Sequence, residues 1–411
     1  MKIEVVESQG SNPPLIGLAR LMRMAVAGMD LAPLGAELIA RAGADPRTAD
    51  ANALMDLSTV LQLRGERELA LEIQLQAMAI QQIYSAPRGH TSRAAIRLLA
   101  IMGPGDLMAN SPIELLLEEV DVALDMVYVT TELDLPACLP EHDVLFVAIA
   151  ESEQNIPLLE KIQVAIASWP RPLLNNPARI ALLSRDNNCA LLKSVPGLDM
   201  PVTVRISRKV LEQIAEGERS MADMLDDGDF PLIVRPVDSH AGKGLEKLED
   251  ATAIAGYLSA IANEEFYVSR FVDYRGTDGL FRKYRIVLIE GRPFVCHMGI
   301  SDHWMIHYLN AGMAESAEKR AEEARFMADF DTDFAVRHTG AFKAINERIG
   351  LDYLGIDCAE TREGKLLIFE VDSCMIVHAI DPVDVFPYKP SQMHKVFDAF
   401  YRMLAHAARV E

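Results

Sequence analysis

GIDCAETREGKLLIFEVDSC, residues 355–374, is the stretch around which the rest of the chain is organised. Apolar alternation runs into Asp357, Thr361-Arg-Glu-Gly364 is a polar turn, and Lys365-Leu-Leu-Ile-Phe continues into Glu370-Val371-Asp372. That order predicts a β-hairpin. Side chains alternate with period two along a strand, which puts Glu370 and Asp372 on one face. Asp357, thirteen positions before Glu370, falls on the neighbouring strand and can point at the same spot. Converging carboxylates repel one another unless a cation sits among them, and a hard divalent metal carrying phosphates is the usual answer. By itself the stretch fits a solvated hairpin with ordinary surface acids equally well.

The whole chain narrows the choice. Its 411 residues predict about two to four domains with ample core. Half of them are hydrophobic and 24% are charged, the balance of a globular protein. A net charge of −20 argues against a nucleic-acid or anionic-membrane surface, while leaving room for nucleotides held by a few local cations. Five cysteines without CxxC spacing suit reduced thiols in the cytoplasm. Met1-Lys-Ile-Glu-Val-Val-Glu7 is acidic and lacks the apolar core of a signal peptide. No run approaches the roughly 18 apolar residues a membrane span requires. The expectation is a soluble, cytoplasmic protein.

Residues 14–85 carry helical periodicity from Leu15 to Ile39 and again from Thr48 to Ile83. In the second pair Leu54, Leu57 and Leu61 precede a turn at Gly65, and Ala70, Leu75 and Ala77 follow it. The small residues permit close antiparallel packing, and the unit resembles one tetratricopeptide repeat, so an isolated helical domain and a peptide-binding array both fit. Arg88–Arg93 reads as a linker. Strands at 96–102, 126–131 and 144–150 then alternate with helices at 113–119 and 158–168, and 179–183 reads as helix or short strand. This predicts a small parallel α/β domain over 91–184. Its Gly103-Pro-Gly105 turn lacks the third glycine of a dinucleotide-binding fingerprint and reads as a tight connection, with Asn110 and Ser111 candidates to contact a substrate anion.

From residue 185 the chemistry-bearing pieces follow in order. A strand from Phe230 ends at Arg235, and the loop Ser239-His-Ala-Gly242-Lys243-Gly244 follows, where small residues let backbone amides approach phosphate oxygens beside a lysine. The spacing is not that of a Walker A loop, and a plain hairpin turn is the competing reading. Next come the strand Glu265–Tyr274 and a long hairpin over 283–300 that puts Lys283 and Arg285 on one face, where cations are costly unless they meet an anion. His303 and His307 have helical zinc spacing without the glutamate of a metalloprotease motif, so a pocket wall with Trp304 is the better reading. His240, Trp304, His307 and His378 are candidate pocket residues, each also readable as packing or loop. Helices over 314–330 and 338–349 lead to the opening hairpin, and 391–408 is an amphipathic helix.

This order resembles the ATP-grasp superfamily, which includes D-alanine–D-alanine ligase and the glutamate-adding peptide ligases. The resemblance covers about 186–411. It implies an α/β (α+β) ATP-grasp fold over 185–411, preceded by a pre-grasp domain over 91–184 and a helical domain over 1–90. In family terms Arg235, Ser239, Gly242, Lys243 and Gly244 match the phosphate-binding strand end and glycine-rich loop. Ser269, Arg270, Phe271 and Val272 match the adenine linker, with Asp273 or Asp278 on the ribose, and Asn310 matches an asparagine near the phosphates. Arg285 matches the strand arginine that faces the γ-phosphate. Lys243 and Lys283 join it as catalytic candidates. Asp357, Glu370 and Asp372 match the metal set for one or two magnesium ions, with manganese as the alternative.

Two departures stand out: Arg235 where lysine is usual, and Asp372 where asparagine is usual. The implied activity is an ATP-dependent carboxylate–amine ligase working through an acyl phosphate. The substrates would be a small-molecule or peptide carboxylate and an amine, in a homodimer, with a protein or peptide partner at the N-terminal helices. An ATP-grasp phosphotransferase and a nucleotide-binding scaffold are the rivals, separated by their products or by the absence of any.

Overall fold

The computed structural model describes residues 13–43, 49–87, 95–118, 120–226, 228–239 and 242–409. The acidic N-terminal stretch, the 88–93 linker and His240 lie outside them. The chain divides into two compact units: Met1–Ile149 with Trp169–Leu173 and Leu404–Glu411, and Ala150–Ser168 with Leu174–Met403. The N-terminal helices and the parallel sheet share one unit, and the helix Ile156–Ala165 belongs to the other.

In the first unit, the helix Ala51–Leu63 starts at Asp50, whose Oδ1 accepts the amides of Asn52 (3.0 Å) and Ala53 (3.1 Å). It ends just before Gly65, whose φ of 83° turns the chain into the helix Arg67–Ile80. Ala70 and Ala77 are fully buried between the pair, and Ser58 Oγ donates to the Ala70 carbonyl at 2.7 Å. Leu75, expected on the same seam, is 53% exposed. The helical reading of 83–85 is also corrected, because Ile83–Ser85 forms β1. Strands β2 (Ile96–Met102), β3 (Val122–Tyr128), β4 (Val144–Val147) and β5 (Leu173–Leu174) complete a sheet ordered β1-β3-β2-β4-β5. β2 runs parallel to β3 and β4, whereas β1 is antiparallel to β3.

The second unit holds two sheets. β7 (Thr203–Ser207), β8 (Leu232–Pro236), β9 (Glu246–Leu248) and β10 (Glu265–Arg270) pair in the order β7-β10-β8-β9, all antiparallel. Leu232, Val234, Phe266 and Val268 point from this sheet into a core shared with Leu211, Ile214 and Ile254 of its two helices. The other sheet is ordered β12-β11-β13-β14-β6, with β6 (Leu198–Asp199), β11 (Phe281–Ile289), β12 (Arg292–Ser301), β13 (Tyr353–Glu360) and β14 (Leu366–Asp372). One face buries Ile286, Ile356 and Leu366; Tyr353, three residues before Ile356, is buried on the other, where its ring meets Phe400 of the helix Lys389–Ala408 edge-on at 5.4 Å. The helix Thr339–Ile349 stops at Gly350, in the left-handed conformation that lets the chain turn into β13. No helix among the described residues is long and apolar enough to cross a membrane.

Candidate functional site

The hairpin of β13 and β14 forms as its residues demand. Asp357 stands opposite Glu370 across it, and opposite Arg285 on β11; Arg285 in turn faces His297 on β12. His297, Arg285, Asp357 and Glu370 thus form a polar row across four strands. Two β-bulges flank the row: the register shifts between Arg285 and Ile286, and again between Asp357 and Cys358. A bulge twists a strand locally and re-aims its side chains, which suits a place where charges must converge.

The row is electrically interlocked. Arg285 grips Asp357 with a two-pronged fork, Nε to Oδ1 at 2.8 Å and a terminal nitrogen to Oδ2 at 3.0 Å, and its remaining nitrogen donates to the Ile376 carbonyl at 3.0 Å. Lys283 Nζ lies 2.7 Å from Asp357 Oδ2. Asp357 is only 1% exposed. Burial alone would raise its pKa, but Arg285 and then Lys283 overcome this and hold the carboxyl well below the usual range. The sequence expectation that Lys283 and Arg285 need an anion is met inside the protein.

Glu370 is paired with Arg185, which also donates to the Phe369 carbonyl at 3.0 Å. Burial works against the ionised Glu370, and Arg185 followed by Arg235 pulls its pKa down. Arg235, at the end of β8, is 9% exposed, and its fork goes to the Ser239 hydroxyl (3.1 Å) and the Ser239 carbonyl. Among the described residues no carboxylate pairs with it. Burial first and Arg185 second depress its pKa, and Glu370 opposes them. A buried guanidinium short of counter-charge is a group waiting for an anion.

Beside Arg235 the glycine loop is tight. Gly242 has φ +72°, and a Cβ there would come within 2.5 Å of His307 Nε2; Gly244 has φ +66°, with Pro236 Cδ 2.9 Å from the same imagined carbon. Only glycine fits, so the backbone comes as close to its surroundings as a phosphate cradle requires. Lys243 is exposed between them.

Other candidates sit differently. In the linker, Phe271 donates its amide to the Pro231 carbonyl at 2.8 Å and lies under Lys247, whose Nζ is 4.3 Å from the ring centre. Ser269 lies on β10 and Val272 directly follows Phe271. Arg270 pairs with Asp199 at 2.7 Å. Both acids expected at the ribose are taken by arginines, Asp273 by Arg275 (2.6 Å) and Asp278 by Arg282 (2.7 Å). Asn310 is exposed on the short turn Tyr308–Asn310, and no hydrogen bond joins it to the Asp357 group among the described residues. His303 and His307 are not on a helix, so their spacing of four does not bring them to one face. In the first unit Asn110 caps Gly103 through both amide atoms at 2.8 Å, and Gln74 takes the Gly105 amide at 2.8 Å, so the Gly-Pro-Gly turn is filled by the protein itself.

The metal reading fails a direct fit. Asp357, Glu370 and Asp372 are hard oxygen donors of the right kind, but the first two are clasped by Arg285, Lys283 and Arg185, and Asp372 Oδ1 accepts the Cys374 amide at 3.1 Å. Among the described residues no group of three His, Cys, Asp or Glu side chains is arranged to hold a metal ion. Nearby, burial and the neighbouring Asp238, Asp372 and Asp186 push the Glu151 carboxyl up to about 7.

Sequence reasoning missed Arg185 and His297. Arg185 opens the helix Arg185–Leu192, where the dipole disfavours a cation; that misplacement is a signal that it serves a partner elsewhere. His297 was within reach of the period-two rule, since it shares a strand face across from Arg285.

No protein-family model and no curated protein matches the sequence. Among solved structures, the chain is similar to D-alanine–D-alanine ligase from Bacillus anthracis complexed with ATP, at 13% identity over 77% of this chain and 99% of that one, with a TM-score of 0.46. It is also similar to the VanG D-Ala:D-Ser ligase from Enterococcus faecalis (12% identity, 75% and 99% covered, TM-score 0.48). A third likeness is to the RimK domain ATP-grasp protein from Sphaerobacter thermophilus (16%, 74% and 98%, TM-score 0.42). Similarity this loose carries no argument, so the functional reading rests on the chain's own residues.

Proposed function

We propose that this chain is an ATP-dependent carboxylate–amine ligase, in which a substrate carboxylate is activated as an acyl phosphate and captured by an amine, releasing ADP and phosphate. The observation that carries the reading is the convergence of Arg185, Arg235, Lys283 and Arg285 on Asp357 and Glu370 within one unit whose glycine loop starts beside Arg235. Phosphoryl transfer asks a protein chiefly for positioning and neutralisation of charge, and this set offers both. Arg285 is held rigidly by Asp357 and Ile376, so its fork is preorganised; Arg235 and Lys283 bring further charge. Gly242 and Gly244 let the loop backbone approach the phosphates of a nucleotide closely, with exposed Lys243 between them. Phe271, beside Lys247, is the surface we assign to the adenine.

Magnesium, which the family resemblance brings with ATP, finds no prepared ligand set among the described residues, so this reading assigns neutralisation of the phosphates to the four cations. Of the five cysteines, four are buried, which accords with a reducing, cytoplasmic setting. The test is release of ADP and inorganic phosphate when ATP is offered with carboxylic acids paired with amino acids. Amide product with both released species supports the ligase. A phosphorylated substrate with ADP alone transfers the site to the phosphotransferase reading. No ADP with any acid, despite ATP binding, removes the ligase claim.

A further inference from the structure

We propose that the free protein presents this site as a metal-independent polyanion site: Asp357 and Glu370 serve as internal counter-ions that position arginine and lysine, not as metal ligands. Three observations converge. Both oxygens of Asp357 are used by protein cations, Oδ1 by Arg285 at 2.8 Å and Oδ2 by Arg285 and Lys283 at 3.0 and 2.7 Å. A divalent ion would have to displace two cations from a carboxylate that is 1% exposed, and would then sit against them without a shield. Glu370 is likewise held by Arg185.

The second observation is the charge balance. Arg185, Lys283 and Arg285 each pair with Asp357 or Glu370, whereas Arg235 pairs with no carboxylate among the described residues. Third, that cation is confined. Arg235 is nine-tenths buried and bonded only to Ser239 among the described residues, while Arg185 bears on it from beside Glu370. Burying a guanidinium beside another cation is unfavourable until an anion arrives. The ligand class is therefore a polyanion with several closely spaced oxygens, of which linear tripolyphosphate is the simplest probe, and the fork of Arg285 matches two such oxygens.

The inference shares its site with the ligase reading but depends on neither ATP nor turnover. Two measurements test it. Manganese(II) titrated into the free protein, followed by electron paramagnetic resonance, should show no stoichiometric binding. One bound ion per chain, lost in Asp357→Asn, overturns the proposal. Tripolyphosphate titrated calorimetrically in excess EDTA should bind the wild type.

Affinity should fall at least tenfold in Arg185→Gln, and at least tenfold in the double variant Arg285→Gln/Asp357→Asn. The double variant removes both members of the Arg285–Asp357 pair, leaving Lys283 as the one cation that loses its partner. Circular dichroism of each variant confirms folding, and Arg185→Gln, whose pair is partly exposed, carries the test if the double variant does not fold. Binding that appears only after a divalent metal is added, or no binding under either condition, refutes the proposal. A protein that binds tripolyphosphate in EDTA yet never releases ADP would refute the ligase reading alone.

Discussion

Replacing Arg285 by glutamine should be among the most damaging single changes in the second unit. Asp357 is 1% exposed and receives three close contacts, two from Arg285 and one from Lys283. Removing one partner of a buried ion pair typically costs ~3–5 kcal/mol, because a charge is left without compensation. Lys283 remains at 2.7 Å, so the loss here should be about 2–3 kcal/mol. For a unit of this size that lowers the melting temperature by roughly 5–10 °C.

The double variant Arg285→Gln/Asp357→Asn leaves two neutral amides able to bond one another, at the cost of the partner of Lys283, and should be more stable than the sum of the two single losses. Acid unfolding supplies a second readout. The Asp357 carboxyl is depressed in the folded state, so its contribution is present above the ordinary carboxyl range and is lost as pH falls through the lower folded value. Without Arg285, burial acts with less opposition, the folded value rises, and acid unfolding should begin at higher pH. Urea unfolding of the four proteins of the cycle, followed by circular dichroism at several pH values, measures both effects. A cost for Arg285→Gln below ~0.5 kcal/mol would falsify the argument, as would a double variant no more stable than the sum of the single losses.

Three further outcomes are expected. Gly242→Ala forces a Cβ into a φ of +72° and against His307, so it should cost about 1–2 kcal/mol and weaken nucleotide or tripolyphosphate binding several-fold, read by thermal unfolding and calorimetry. In the first unit, buried Asp56 accepts the amides of Ile16 (2.8 Å) and Gly17 (3.1 Å), and desolvation pushes its pKa up to about 6. Its protonated form is favoured by folding, so stability is highest below pH ~4 and declines through pH 6, by up to roughly 3 kcal/mol. Asp56→Asn should flatten that slope in urea midpoints compared between pH 4.5 and 7.5. Lys389 is 3% exposed, 2.9 Å from Asp381 and within 3.8 Å of the fully buried Glu323, which also accepts from Tyr308 (2.9 Å) and Tyr388 (2.6 Å). Lys389→Met should therefore destabilise by ~3–4 kcal/mol in the same assay, and a loss under 1 kcal/mol would show that Glu323 is adequately held by the two phenols.

Much of the architecture was open to reading from local pattern. Period-two alternation in 281–301 and 353–372 marks two hairpins, and the pairing of Asp357 with Glu370 follows from their spacing and the turn between them. Glycine positions announced the loop beside Arg235, because only glycine accepts the left-handed φ values found there. Lys283 and Arg285 declared their need for an anion by sharing a strand face. Such features depend on neighbours a few residues away, where one strand or turn fixes the geometry.

What the anion would be, and how the chain is divided, belonged to the tertiary structure alone. Asp357 reads as a metal ligand in a hairpin considered alone, and becomes the counter-ion of Arg285 and Lys283 once β11 lies beside β13. Arg185 reaches Glu370 from a helix 185 positions earlier in the chain, and no spacing rule spans that interval. Leu75 fits a buried helical seam by periodicity yet faces solvent, since which face is covered depends on elements elsewhere in the unit. Local sequence determines which way a side chain points from its strand; only packing decides which charge is waiting there.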